Sequence, residues 1–197
     1  MPETLIYIYL HIQRVKIILI DMRIKGEEVS IKQAFFLSLY YGIARHLPRP
    51  LFGRKLRYFC CKNIFRHCGK NVNIERGAYF STGNEISIGN NSGLGINCWV
   101  PSNLTIGNDV MMGPNVTILD RNHKFDSIDT PMIRQGNTER RQTIIEDDVW
   151  IGCQVLMMPG RTIKRGSIIA GGCVLCKDFP EYSIVGGNPS KLIRARK

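Results

Sequence analysis

His123 ends the tetrapeptide Asp120-Arg121-Asn122-His123 and is one of four histidines in 197 residues. An imidazole titrates near neutrality, so it can take the proton of a hydroxyl that attacks a carbonyl carbon. Asp120, three residues earlier, supplies a carboxylate that could orient such a ring. The other histidines, His11, His46 and His67, lie well upstream. Seven cysteines are an odd number, and no secretory signal with a small-residue cleavage site precedes them, which reads as reduced thiols in the cytoplasm. Cys173-x-x-Cys176 has metal or redox spacing, yet no second pair and no nearby histidine accompany it. Cys60-Cys61 and Cys68 also lack the spacing of a zinc site, so the reading contains no metal.

The element that must position His123 is visible in the residues before it. From Ile88 the chain divides into sixes: IGNNSG, LGINCW, VPSNLT, IGNDVM, MGPNVT. The first column is Ile88, Leu94, Val100, Ile106, Met112 and Ile118, and the beat resumes at Ile145, Ile151, Met157, Ile163, Ile169 and Leu175. The fifth column is small or slim: Ser92, Cys98, Leu104, Val110, Val116, then Val149, Val155 and Cys173 among others. A weaker phase, Ile74, Phe80 and Ile86, precedes the first block and is offset by two residues. Neither a period of 3.6 nor a period of 2 produces this pattern, whereas a six-residue period belongs to a parallel β-helix. Each hexad is one short strand and one corner, three hexads close one coil, and Gly, Asn and Asp serve the corners. The beat stops at residues 120–143, a polar, irregular segment too long for an idle connection.

Net charge is +11, unevenly spread. Residues 1–70 hold 13 Lys/Arg against 4 Asp/Glu, and residues 71–197 hold 14 against 12. The first third therefore suits an anionic partner such as a membrane surface. Residues 5–24 are rich in Leu, Ile and Val, but Arg14, Lys16 and Asp21 interrupt them, so no uncharged run is long enough to span. Ser30-x-x-Gln33 fits a capping box, after which Ala34 to His46 reads as a helix stopped by Pro48 and Pro50. Arg54, Lys55, Arg57, Lys62 and Arg66 follow. Two readings stand: an amphipathic basic surface resting on anionic lipid, or helices packed on the protein with a solvated basic face. The organisation expected is a basic, partly helical segment over 1–69 and a repeat domain over 70–197.

Four features together resemble one family: Asn122-His123 opening a loop, Asp148-Val149-Trp150-Ile151-Gly152, Pro159-Gly160, and Gly187-Asn188-Pro189. They are similar to the hexapeptide-repeat acyltransferases, in the maltose, galactoside and xenobiotic O-acetyltransferase branch. They are closer still to acetyltransferases found with bacterial capsule and O-antigen synthesis. The resemblance covers about residues 70–196. It implies a mainly β fold, a left-handed parallel β-helix, although parallel crossovers are usually right-handed. It implies a homotrimer with acetyl-CoA in a groove between neighbouring prisms and the interrupting loop reaching the adjacent subunit. His123 matches the family's catalytic base. Trp150 matches a wall of the acetyl and pantetheine site, and Cys153 and Gly171 match positions whose backbone groups bind the pantetheine arm. Cys176 falls in the same cofactor region, and Lys191 and Arg194 match basic residues near the adenosine phosphates. Asn97 falls near an acceptor-contacting asparagine, but with two residues fewer before the next repeat.

The activity this implies is acetyl transfer to a hydroxyl of a small or lipid-linked saccharide, in polysaccharide synthesis, with no nucleic-acid partner. An N-acetyltransferase acting on an amino sugar would use the same base, and a non-catalytic trimeric scaffold would need neither His123 nor the loop. A zinc-dependent carbonic anhydrase on this repeat would need three histidines on adjacent coils, and the repeat region has one.

Overall fold

The computed structural model describes residues 29–196. The reading of residues 5–24 lies outside the described residues. Ser30 caps helix α1 (Ile31–Leu39): its hydroxyl accepts from the Gln33 N–H, and the Gln33 side chain accepts from the Ser30 N–H. This is the capping box expected from the sequence. The helix runs on as a π-helical turn (Tyr40–Ala44), and after Pro48 a short 3-10 turn (Arg49–Leu51) leads into α2 (Gly53–Ile64). Among the described residues no helix is long and apolar enough to cross a membrane.

From His67 the chain winds as a three-sided parallel β-helix. The first face stacks β1 (His67–Cys68), β3 (Ser87–Ile88), β5 (Leu104–Ile106), β8 (Thr143–Ile145) and β11 (Thr162–Ile163). The second stacks β2 (Asn73–Ile74) on β4 (Gly93–Leu94). It continues through β6 (Met111–Met112), β9 (Trp150–Ile151), β12 (Ile168–Ile169) and β14 (Ser183–Gly186) to the antiparallel β15 (Lys191–Ala195). The third holds β7 (Thr117–Ile118), β10 (Leu156–Met157) and β13 (Val174–Leu175), extended by bridges from Tyr79 to Trp99 to Thr117.

Registers follow the hexads. Ile88 pairs with Ile106, Ile145 with Ile163 and Met157 with Leu175, in each case three hexads further along the chain. First-column side chains are buried in the prism, save the half-buried Met112, and so are the fifth-column Ser92, Cys98, Val116, Val155 and Cys173. The fourth column turns the corners with positive φ at Asn91, Asn97, Asp109, Asn115, Asp148 and Gln154. Asn and Asp tolerate that backbone, which explains why they recur there. The earlier phase is offset because Cys68 pairs with Ile88, so the first coil is slightly longer than three hexads. The two extra residues lie in the corner at 81–85, where Ser81 and Gly83 take positive φ.

The helices close the open end of the prism. Tyr40, Ala44, Cys60, Cys61, Ile64 and Phe65 join one apolar core with Ile74, Ala78 and Phe80. The packed reading of this segment therefore accounts for its inner side. Arg57, expected on a basic surface, is instead fully buried. Its Nε donates to the Ile74 carbonyl at 2.6 Å, and its Nη1 donates to the Ala44 and Leu47 carbonyls at 3.2 and 2.7 Å. Helix, turn and first coil are thus tied through one guanidinium. No sequence pattern separates this arginine from its exposed neighbours, because the tie runs to backbone carbonyls. Arg57→Ala should lower unfolding stability by about 3 kcal/mol, since it orphans buried carbonyls and opens a void. Chemical denaturation checks this, and an unchanged midpoint would contradict the role given to Arg57.

Candidate active site

Ile118 pairs with Met157, so the chain between them is more than twice as long as a regular coil. The added segment leaves at the corner between the third and first faces and forms a hairpin arm. The Arg141 N–H donates to the Asp120 carbonyl at 2.7 Å, Thr138 to Asn122 at 2.8 Å, and Lys124 to Gly136 at 3.0 Å. His123 sits in the arm opposite Asn137, in an antiparallel bridge. The Gln135 amide ties the tip by donating to the Ser127 and Thr130 carbonyls. The base of the arm is pinned by charge. Arg140 Nε meets the Asp120 carboxylate at 2.8 Å, its Nη2 donates to the Ser102 hydroxyl at 2.9 Å, and Glu85 is 3.8 Å away. Asp120 therefore holds Arg140 and the arm, where the sequence suggested a carboxylate that orients His123.

Below the arm lies a cavity of about 1000 Å³. The strand opposite His123 and the residues just before it form part of its rim: Asn137, Asp120 and Arg121. Ser81, Asn84 and Glu85 form another wall, so the two-residue offset at 81–85 has a structural use. Tyr79 and Trp99 line it with parallel rings, centroids 6.1 Å apart, on successive coils. The sequence reading missed both aromatics. They occupy the sixth column, whose residues point outward, so the hexad frame itself was the signal.

The corners differ in how they treat backbone N–H groups. Between the first and second faces, a ladder of side chains closes them. The Asn90 side-chain Oδ1 accepts from Lys70 N–H, Asn108 Oδ1 from Asn90 N–H, and Asp147 Oδ1 from Asn108 N–H. Between the second and third faces the equivalent places hold Cys153 and Gly171, both exposed. Among the described residues neither backbone N–H has a hydrogen-bond acceptor. Gly171 stacks directly on Cys153, whose carbonyl accepts from Gly172 at 2.9 Å. Trp150, on the outward side of β9, is half exposed beside this open corner. An amide-bearing chain laid along it would find two unpaired donors one coil apart and an aromatic wall.

Other expected residues are placed as follows. Asn97 is a positive-φ corner residue whose amide stacks on Gly77, and it does not line the cavity. Cys176 is exposed; hydrogen bonding with the Ser190 hydroxyl lowers its thiol below the ordinary value. Cys173, three residues earlier, is buried inside the prism, and burial pushes the Cys98 thiol up to about 12. Lys191 and Arg194 are exposed on β15 at the far edge of the second face. His123 and the pair Cys153–Gly171 emerge from different corners of the prism.

No protein-family model matches the chain. A Saccharomyces cerevisiae protein assigned as an acetyltransferase is 35% identical over 135 residues, covering 68% of this chain and 67% of that protein. The chain belongs to the hexapeptide-repeat acetyltransferases. The galactoside O-acetyltransferase of Escherichia coli is 33% identical over 135 residues, 68% of this chain and 65% of that enzyme. The chain thus spans just under two thirds of that relative's length. A hexapeptide-repeat acetyltransferase of Vibrio cholerae, solved in complex with acetyl coenzyme A, superposes with a TM-score of 0.64. That match has 25% identity and covers 88% of this chain and 95% of that one. Membership fixes the hand that spacing alone left open: the prism is a left-handed parallel β-helix. In this hexapeptide-repeat acetyltransferase the arm depends on its charged base. Arg140→Ala should raise amide hydrogen exchange across 121–139 at least tenfold while leaving the coils protected. Unchanged exchange in the arm would show that Arg140 does not anchor it.

Proposed function

We propose that the protein transfers the acetyl group of acetyl-CoA to a hydroxyl of a saccharide, with His123 as general base. One observation carries this reading: the hairpin arm that bears His123 lines the cavity through Asp120, Arg121, Asn137 and Arg140, and Asn137 is the backbone partner of His123. In the reaction the imidazole accepts the hydroxyl proton while the oxygen bonds to the thioester carbonyl carbon. Collapse of the tetrahedral intermediate breaks the carbon–sulfur bond, and the departing thiolate takes the proton back. Tyr79 and Trp99 offer ring faces for the apolar face of a sugar, with polar groups around them to fix its orientation.

On the donor side, the unpaired N–H groups of Cys153 and Gly171 suit the amide carbonyls of the pantetheine arm, with Trp150 flanking them. Cys176 lies farther along toward the last coil, and Lys191 and Arg194 supply cations for the phosphates. Donor groove and base leave the prism at different corners, so a second copy is needed to bring them together. The arm's tip favours this, because Phe125, Ile128, Met132 and Ile133 are all exposed large apolar side chains. A homotrimer in which each arm lies on its neighbour satisfies both. Reduced thiols and the saccharide acceptor fit cytoplasmic synthesis of a capsular, O-antigen or related polysaccharide, on a free or lipid-linked sugar.

His123→Ala should lower kcat by about 10² or more and leave the Kd for acetyl-CoA unchanged. Near-wild-type turnover would end the assignment. Because the role of residue 153 lies in its backbone, Cys153→Ala should change that Kd by less than about twofold in calorimetry, within the effect of an ordinary surface substitution. A loss of binding would place the thiol itself in the site.

A further inference from the structure

We propose that the outer stripe of α2, together with the exposed side of α1, docks on the surface of an anionic phospholipid bilayer. Residues 29–74 contain nine Lys/Arg and no Asp or Glu. Three of those cations serve the fold. Arg57 is buried, Arg45 donates to the Gly77 carbonyl, and Arg49 pairs with Glu75. The remaining six, Lys32, Arg54, Lys55, Lys62, Arg66 and Lys70, are exposed.

The apolar residues between them are exposed too. Lys55, Phe59 and Lys62 follow at steps of four and three, which places them on one face of α2, and Phe52 stands at the N-cap of that helix. Phe52 is 73% and Phe59 52% exposed, and Lys55 lies over the Phe52 ring. The opposite face of the same helix buries Arg57, Cys60, Cys61 and Ile64 against the prism. The inward side is thus already used, and among the described residues the aromatic stripe is left over. Phe35 and Phe59 both pack edge-on against Phe36, so α1 continues the surface with Phe35 and Ile31. Ile31 is 89% exposed, and Leu51 stands beside Phe52.

Alternating aromatic and lysine residues on a short helix face are what an interfacial helix presents. The rings enter the headgroup region, and the lysine stems lie along it with their charges among the phosphates. An anionic polymer would use the cations and leave Ile31, Leu51 and the phenylalanines in water, whereas a bilayer takes both. Arg66, two residues beyond α2, also lines the cavity, so docking would hold the cavity beside the headgroups.

The test is co-sedimentation of the full chain with vesicles of phosphatidylglycerol and phosphatidylcholine in equal parts, and with phosphatidylcholine alone. Binding is expected to the mixed vesicles only, and to weaken with added salt. The double variant Lys55→Ala/Lys62→Ala should bind roughly 30-fold more weakly. Phe52→Ser should lose roughly tenfold by a different route, the buried ring. Both variants should keep the thermal midpoint and the acetyl transfer rate toward a soluble acceptor, since their side chains are exposed. Vesicle binding that ignores lipid charge, or wild-type protein that binds no vesicle but is held by a nucleic acid, overturns the proposal. So do variants that bind as tightly as wild type, because residues outside this stripe would then carry the contact.

Discussion

The stacking of one inward aliphatic side chain on the next, coil after coil, is the constraint on which everything else in this molecule depends. Ile88 sits under Ile106, Ile106 under Ile145, and Ile145 under Ile163. A two-residue strand is far too short to be stable by itself. It is fixed because its side chain is buried and its backbone is paired on both sides by neighbouring coils. That arrangement leaves the outward positions and the corners free to vary without disturbing the core. It also leaves one end of the core open, which explains why the helices, with Arg57 as their tie, are part of the same apolar cluster.

Function is then a matter of where the repeat is broken and where its corners are left open. One corner is sealed by the Asn90–Asn108–Asp147 ladder. A second, at Cys153 and Gly171, lacks such a ladder and, among the described residues, keeps unpaired N–H groups at the surface. The third admits insertions, a short one at 81–85 and the long arm after Ile118. The two insertions both line one cavity, and Arg140 bridges them by reaching both Asp120 and the vicinity of Glu85. A rigid stack with an arm pinned at its base can hold an imidazole in a fixed place, which an ordinary mobile loop would not do.

The repeat was legible because its period is enforced by burial: a polar residue in the first column would be an unpaired group inside the prism. Interruptions were legible for the same reason, since losing the beat is as visible as keeping it. The Ser30–Gln33 cap could be read because capping depends on local spacing alone. What depended on long-range partners could not be read. Arg57 looks like Arg54 until the carbonyls of Ile74 and Leu47 are placed around it. Asp120 looks like a partner for His123 close by in the chain, yet its partner is Arg140, on the returning strand of the arm. Tyr79 and Trp99 were available from the column rule, but the cavity they line takes its other walls from the short insertion and the arm, which the column rule does not place.

The central claim is that this chain forms an ester on a sugar. The most direct measurement is mass spectrometry of saccharides incubated with the protein and acetyl-CoA, followed by treatment of the product with mild alkali. The account expects a saccharide that gains one acetyl group only when acetyl-CoA is present and loses it again in alkali, as an ester does. An acetyl group that survives alkali would mean transfer to an amine, and no transfer to any saccharide would contradict the account.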